Sequence, residues 1–188
     1  MHNEEAGEQL KEIRIHGRGG QGSVLAAELL ARAAFEDGRY GQAFPLFGGE
    51  RRGAPVQAFV RLSDEEIRLR NYIREPDCII LQDLSLLGLA DVLAGLKPGG
   101  TLIANSDGPM VDEWPAGVAV YTVPARAIAD EILGRPFLNP AMLGAFAAAT
   151  SEIRMESLQQ AFRMHFPGEL GKRNAQAVQL GFVKVKKE

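Results

Sequence analysis

EIRIHGRGGQGSVLAAELLARAAFED, residues 12–37, decides the fold. Ile13 and Ile15 alternate with charged neighbours, so Glu12–His16 reads as a strand with one face turned to a core. The chain then enters Gly17-Arg18-Gly19-Gly20-Gln21-Gly22-Ser23 and continues into an alanine- and leucine-rich run, Val24–Asp37, that favours helix and stops before Gly38, a natural residue for a helix C-terminus. Only Glu28, Arg32, Glu36 and Asp37 are charged in that run, which predicts a helix packed on two sides, against a sheet and against a neighbour.

Working outward, Arg39–Phe44 is a second strand candidate. It is followed by Pro45-Leu46-Phe47-Gly48-Gly49-Glu50-Arg51-Arg52-Gly53-Ala54-Pro55, whose prolines and glycines predict a loop. Val56–Leu62 alternates as a strand does, and Cys78–Leu81 is a continuous apolar run of the kind found in a central buried strand. Leu84–Leu96 is amphipathic and is expected to be helical up to Lys97-Pro98-Gly99-Gly100, with further strands at Thr101–Ala104 and Val118–Val123. Helices are expected at Ala125–Leu133, at Pro140–Ala149 capped by Asn139, at Met155–Phe166 and near Asn174–Gly181, ahead of the basic tail VKVKKE. The pattern predicts an α/β fold: an open, mostly parallel Rossmann-like sheet flanked by helices, with trailing C-terminal helices. A flexible N-terminal tail over residues 1–10 and a single domain over 11–188 complete the expected organisation.

Composition narrows the function. Of 188 residues, 46% are hydrophobic and 24% charged, the balance of a globular protein. A net charge of −3 gives no general attraction to polyphosphate, so nucleic acid is not the expected partner. The longest apolar run, Ala141–Ala149, is too short to span a bilayer, and the acidic start does not read as a secretory signal, so a cytoplasmic location is expected. Cys78 is the only cysteine, which excludes an internal disulfide and an iron–sulfur cluster held by this chain alone. Three scattered histidines offer no metal-ligand spacing.

Two motifs stand out. Gly17-x-Gly19-x-x-Gly22 follows a strand and opens a helix, the context in which glycines let an anion approach the backbone at a helix N-terminus. The same glycines also serve simple close packing of helix on strand. A nicotinamide site further needs an acid at the end of the second strand, and that strand ends Phe44-Pro45, while Glu36 and Asp37 sit at the end of the helix. The second motif, Gly49-Glu50-Arg51-Arg52-Gly53-Ala54-Pro55, sets two arginines beside an apolar stretch. It suits a phosphate or carboxylate clamp, a partner-chain contact or a solvated turn. Asp83 and Asn105 fall at carboxyl ends of strands as ligand contacts or as caps. His16 stands beside the turn as an acid–base group or a packed one. Cys78 is expected to be a small buried residue, and Trp114, Phe137 and Phe146 core or interface residues. No nucleophile–base arrangement or phosphate-loop Gly-Lys-Ser/Thr turn is present in the sequence.

Taken together, Gly17–Gly22, Ala33-Ala34-Phe35-Glu36-Asp37-Gly38, Gln42-Ala43-Phe44-Pro45 and Glu50-Arg51-Arg52-Gly53-Ala54-Pro55-Val56-x-Ala58-Phe59 resemble the gamma subunit of pyruvate and related 2-oxoacid:ferredoxin oxidoreductases. The resemblance continues through Asn139-x-Ala141-Met142-Leu143-Gly144-Ala145-Phe146 and Glu156-Ser157-Leu158, roughly Glu12 to Val183. It implies a multi-subunit enzyme that oxidatively decarboxylates a 2-oxoacid, forms an acyl-coenzyme A and reduces ferredoxin. It implies alpha, beta and delta partner subunits, with thiamine diphosphate, Mg and iron–sulfur clusters on those partners and no tightly bound cofactor in this chain. By resemblance, Gly17, Gly19, Gly20, Gln21 and Gly22 form a conformational or ligand-contact turn, and Glu50, Arg51 and Arg52 face partners or the coenzyme A phosphates. No catalytic or metal-ligating residue is expected in the chain itself. The Glu-Arg-Arg-Gly-Ala-Pro loop is similar to that of pyruvate and branched-chain oxoacid members. Where the family often has a capping serine before Glu-Ser-Leu, this chain has Arg154-Met155. A stand-alone nucleotide-binding protein and an indolepyruvate-type or branched-chain subunit remain the alternatives.

Overall fold

The computed structural model describes residues 10–46, 52–110 and 114–188. Strand β1 (Lys11–Arg18) leads through the glycine turn into α1 (Ser23–Glu36), then β2 (Tyr40–Pro45), β3 (Pro55–Ser63), β4 (Cys78–Leu81), β5 (Thr101–Asn105) and β6 (Ala119–Val123). Four helices follow, α2 (Ala125–Leu133), α3 (Asn139–Thr150), α4 (Met155–His165) and α5 (Gly168–Lys184), and a short β7 (Lys186–Lys187). The sheet order is β2-β3-β1-β4-β5-β6-β7. β1, β4, β5 and β6 run parallel, with Ile15 opposite Ile80 and Ile80 opposite Ile103, while β3 is antiparallel to both β1 and β2 and β7 is antiparallel to β6. The expected open, mostly parallel α/β sheet is therefore present, with β2 and β3 forming an antiparallel ribbon on the β1 side.

Strand alternation sorts the core into two layers. Ile13, Ile15, Val60, Cys78, Ile80 and Ile103 face the helices and pack with Leu29, Leu30, Phe146 and Phe162. Ile79, Leu81, Leu102, Ala104 and Val120 face the other way, against Leu86 and Val92. α1 buries Ala26, Ala27, Leu29, Leu30, Ala33 and Ala34 between the sheet and α4, the two-sided packing its composition predicts.

Three local expectations need correction. Leu84–Leu96 is not an α-helix: after one 3₁₀ turn at Leu84–Leu86 it continues as successive turns. Gly95 has a positive φ of 72° and lies hard against the Arg74 carbonyl, and the carbonyls of Val92 and Ala94 turn to the Arg14 guanidinium at 2.9 and 2.6 Å. Those carbonyls are then committed outside the segment. Asn139 does not cap α3 from outside; it is the first residue of the helix, with Leu138 before it and its side chain fully buried. The last helix spans Gly168–Lys184, much more than Asn174–Gly181, and the basic tail closes the sheet as β7.

Candidate functional site

The carboxyl end of β1 delivers the glycine turn to a point where three elements meet. Ser23 Oγ, at the start of α1, donates to Gln82 Oε1 at 2.7 Å, and Gln82 Nε2, just past β4, donates to Asn139 Oδ1 at 2.5 Å. Asn139 Nδ2 returns to the Gly22 carbonyl at 3.0 Å. All three side chains are buried, so each bond is made where an unmade one is costly. Gly17 sits directly under this chain: a Cβ there would collide with Gln82 Oε1 and Ser23 Oγ. Glycine at 17 is a packing requirement before it is anything else.

The turn is also stitched to the second motif. Gly19 N–H donates to the Ala54 carbonyl at 2.8 Å and Gly53 N–H to the Gly19 carbonyl at 3.0 Å. Arg18 reaches the Gly53 carbonyl at 2.9 Å, Asp83 Oδ2 at 3.1 Å and Ser85 Oγ at 2.6 Å, while its own N–H is held by Gln21 Oε1 at 2.6 Å. Burial would raise the Asp83 carboxyl, but hydrogen bonds from Ser85, the Arg18 charge and Gln21 outweigh it and hold its pKa below the usual carboxylate range. The Arg18 charge is thereby neutralised by Asp83.

What remains open is the N-terminus of α1. Gly22 occupies the cap position at φ 80° with no side chain to accept from the first turn, and no acidic residue lies in that turn. A hollow of about 400 Å³ lies there, bounded by Gly19, Gly20, Val24 and Val56, with Glu28 at its rim. Exposed Arg52 passes beside Gly20, its Cγ about 4.0 Å from where a Cβ would stand. Free amides, a helix dipole and one exposed guanidinium are the elements of an anion contact. Gly17, Gly19, Gly20, Gln21, Gly22 and Arg52 are thus brought together; Glu50 and Arg51 lie outside the described residues.

The other candidates resolve into structural duties. Asp83 caps the 3₁₀ turn, accepting from Ser85 N–H at 3.1 Å. Asn105 accepts from Arg126 N–H at 3.2 Å and donates to the Gln82 carbonyl at 3.3 Å. His16 is buried, and desolvation together with the Arg14 guanidinium pulls its pKa down to about 3, so it is no acid–base group near neutral pH. Phe146 is fully buried, and Phe137 and Trp114 pack partly buried against the two core layers.

The family model for pyruvate ferredoxin/flavodoxin oxidoreductase matches residues 12–183. The chain belongs to this family. The chain is 49% identical over 175 residues to pyruvate synthase subunit PorC of Methanothermobacter marburgensis, covering 93% of this chain and 97% of that one. It is 50% identical over 179 residues to the pyruvate/ketoisovalerate oxidoreductases common subunit gamma of Thermococcus litoralis, covering 92% and 96%. The crystal structure of pyruvate oxidoreductase subunit PORC from Thermotoga maritima superposes with a TM-score of 0.80 at 33% identity over 95% of this chain and 98% of that one. The resemblance read from the sequence is to the same family, and the relatives named above are each called a subunit.

The matched family is named for an oxidoreductase, and the described residues here do not assemble a metal or thiolate site. Cys78 is buried and desolvation, with Asp77 and Glu152 nearby, raises its thiol pKa well above the usual range, so it offers no thiolate. Among the described residues no three His, Cys, Asp or Glu side chains gather as a metal site, and no helix is long and apolar enough to cross a membrane. Sequence reading placed Ser23 only at the end of the glycine stretch and assigned no role to it or to Gln82, because neither belongs to a spacing motif. The one available signal was a glutamine directly after an apolar strand, level with the glycine turn.

Proposed function

We propose that this chain is the gamma subunit of a 2-oxoacid:ferredoxin oxidoreductase that converts pyruvate and coenzyme A to acetyl-coenzyme A and CO₂ and passes the electrons to ferredoxin. The subunit reading is carried by the match along residues 12–183. In this reading the alpha, beta and delta subunits hold the thiamine diphosphate, Mg and iron–sulfur clusters, the complex is cytoplasmic, and the chain alone is inactive. The contribution of this chain is contact: Gly17, Gly19, Gly20, Gln21 and Gly22, with Glu50, Arg51 and Arg52, meet the coenzyme A phosphates at the mouth of the site or the partner surface around them. The stitched turn and loop beside the uncapped α1 N-terminus support that assignment. A relative named as a common subunit of pyruvate and ketoisovalerate oxidoreductases supports a second substrate class, branched-chain oxoacids, for the same subunit.

The test is to tag the chain in its host, recover it anaerobically and assay coenzyme A-dependent dye reduction with pyruvate and with ketoisovalerate. A coloured, thiamine-containing complex with that activity is expected. Arg51→Ala plus Arg52→Ala is expected to raise the apparent KM for coenzyme A about ten-fold, two charge-assisted contacts being lost, or to weaken assembly. A colourless lone chain carrying a nucleotide would overturn the reading, and an unchanged double variant would remove the loop from both roles.

A further inference from the structure

Between β3 and β4 the chain runs for fourteen residues, 64–77, without helix or strand. Inside a compact domain a loop of that length is either functional or without fixed structure. Its middle, Arg68-Leu69-Arg70-Asn71-Tyr72-Ile73-Arg74, holds three arginines and no acid, and Asp64-Glu65-Glu66 precedes it.

This loop is clamped from beneath. Arg61 on β3 is 0% exposed. Its Nε donates to Glu12 Oε1 at 2.8 Å and its Nη1 to Gln42 Oε1 at 3.0 Å, and its guanidinium lies 5.2 Å from the centre of the Phe44 ring. Its Nη2 reaches outward to the Asn71 carbonyl at 2.8 Å and to Asn71 Oδ1 at 3.3 Å, while Gln42 Nε2 donates to the Leu69 carbonyl at 3.0 Å. The Tyr72 ring packs 5.6 Å from that of Phe59 and 6.3 Å from that of Phe44, and Ile73 is buried. Burying a guanidinium is costly unless every bond it makes is good, and here part of that bonding fixes an otherwise exposed loop. Above the clamp stands a mixed apolar and cationic surface: Leu69 is 45% and Tyr72 46% exposed, and Arg68, Arg70 and Arg74 are exposed beside them. Tyrosine and arginine on a rigid support are the side chains that carry most of the energy of protein interfaces, and the fixed backbone lowers the entropy lost on binding.

We infer that residues 68–74 are a docking loop for a partner subunit. The facing surface of that partner offers an apolar pocket to Tyr72 and Leu69, carboxylates to the forked guanidiniums of Arg68, Arg70 and Arg74, and a basic side chain to Glu65 and Glu66. Charge selects this occupant: the acidic run at 64–66 repels polyphosphate and anionic lipid, whereas a protein surface can set both signs in the matching order. The internal pair of Arg68 with Glu66, at 3.2 Å, is solvent-exposed on both sides and weak enough to be exchanged for a partner's carboxylate. This docking role rests on the subunit reading proposed above and says which surface of the chain the partner covers.

The experiment is hydroxyl-radical footprinting of the wild-type chain, purified alone and in the anaerobically recovered complex, followed by recovery of the complex with Tyr72→Ala and with Arg70→Glu plus Arg74→Glu. Oxidation of Tyr72 seen in the free chain is expected to be lost on assembly, a readout that needs no variant to fold. Tyr72→Ala is expected to weaken retention of the partner subunits about ten-fold or more, as loss of a buried aromatic anchor does. The charge reversal is expected to weaken retention most at low salt and less at high salt, because screening removes the repulsion it introduces. Urea midpoints of both purified variants are expected to match wild type, since the substituted side chains are exposed. An active complex in which Tyr72 is oxidised as in the free chain overturns the docking assignment and leaves the subunit reading standing. So does unchanged retention in both variants. Protection of Tyr72 that appears in the purified chain alone and rises with its concentration also overturns it, in favour of a second copy. Protection abolished by nuclease does so in favour of nucleic acid. A wild-type chain recovered without partner subunits overturns both readings.

Discussion

Gln82 shows how one side chain decides whether a loop has a shape. It satisfies Ser23 with its oxygen and Asn139 with its nitrogen, both in the interior. Gln82→Ala leaves two buried polar groups unpaired and opens space beneath Gly17, and is expected to cost about 2–4 kcal/mol, two such losses being combined. Urea titration of the purified chain measures this directly; Gln82→Glu, which keeps the acceptor and loses the donor, should fall between. His16 makes a second residue-scale prediction, in pH. Its folded pKa of about 3 lies below the ordinary value of 6.5, so on acidification the unfolded chain takes up a proton first. Stability contributed by the neutral ring is therefore present above pH 6.5 and is lost as pH falls toward 3, with a slope of up to about 1.4 kcal/mol per unit. Denaturation at a series of pH values checks it: in His16→Gln that part of the slope should vanish, and an identical slope would count against a buried neutral histidine.

Among the elements, the cover over Leu84–Leu96 owes its form to Arg14, a residue some seventy positions earlier. Hydropathy periodicity there satisfied a helix template, but the periodicity does not register that a buried guanidinium offers the segment's carbonyls a better partner than its own amides. Arg14→Met is expected to remove three hydrogen bonds, to speed amide hydrogen exchange through 84–96 selectively, and to move the His16 pKa upward. Because burial is the larger cause, that pKa should still stay below 6.5; hydrogen exchange by mass spectrometry and histidine NMR read the two effects. Exchange rising uniformly across the chain would show the clamp to be global and not local. The start of α4 was illegible for a related reason. Where a capping serine was lacking, Asp37 at the end of α1 accepts from Arg154 N–H at 2.9 Å and from Ser157 Oγ, so the cap comes from another helix. Burial alone would raise the Asp37 pKa, but the hydrogen bonds from Ser157 and Arg154 outweigh it and lower it. The same contact explains why Asp37 is unavailable to a ribose.

For the whole molecule, strand alternation and apolar runs were enough to expose the class of sheet, since burial on two faces leaves an unmistakable pattern at Cys78–Leu81. Strand direction was not legible: Val56–Leu62 alternates identically whether it runs with β1 or against it, and only pairing such as Ile15 with Ala58 settles that it runs against. The glycines of α5 disguised a long helix, because Gly171 and Gly181 exist to let backbones of α4 and α3 approach. The sheet's far edge supplies the last prediction. β7 is two lysines paired against β6 through Lys186 and Thr122, and the Glu188 side chain accepts from Thr122 Oγ1 at 2.8 Å. A short, charged strand at an edge discourages pairing with a second sheet. Lys186→Val plus Lys187→Val keeps the pairing and removes both charges, so the monomer's stability should hold while the edge becomes adhesive. Light scattering of the purified chain should then rise with concentration and be suppressed by Lys186→Val plus Lys187→Glu; scattering equal to wild type would mean that the exposed edge is shielded by something other than charge.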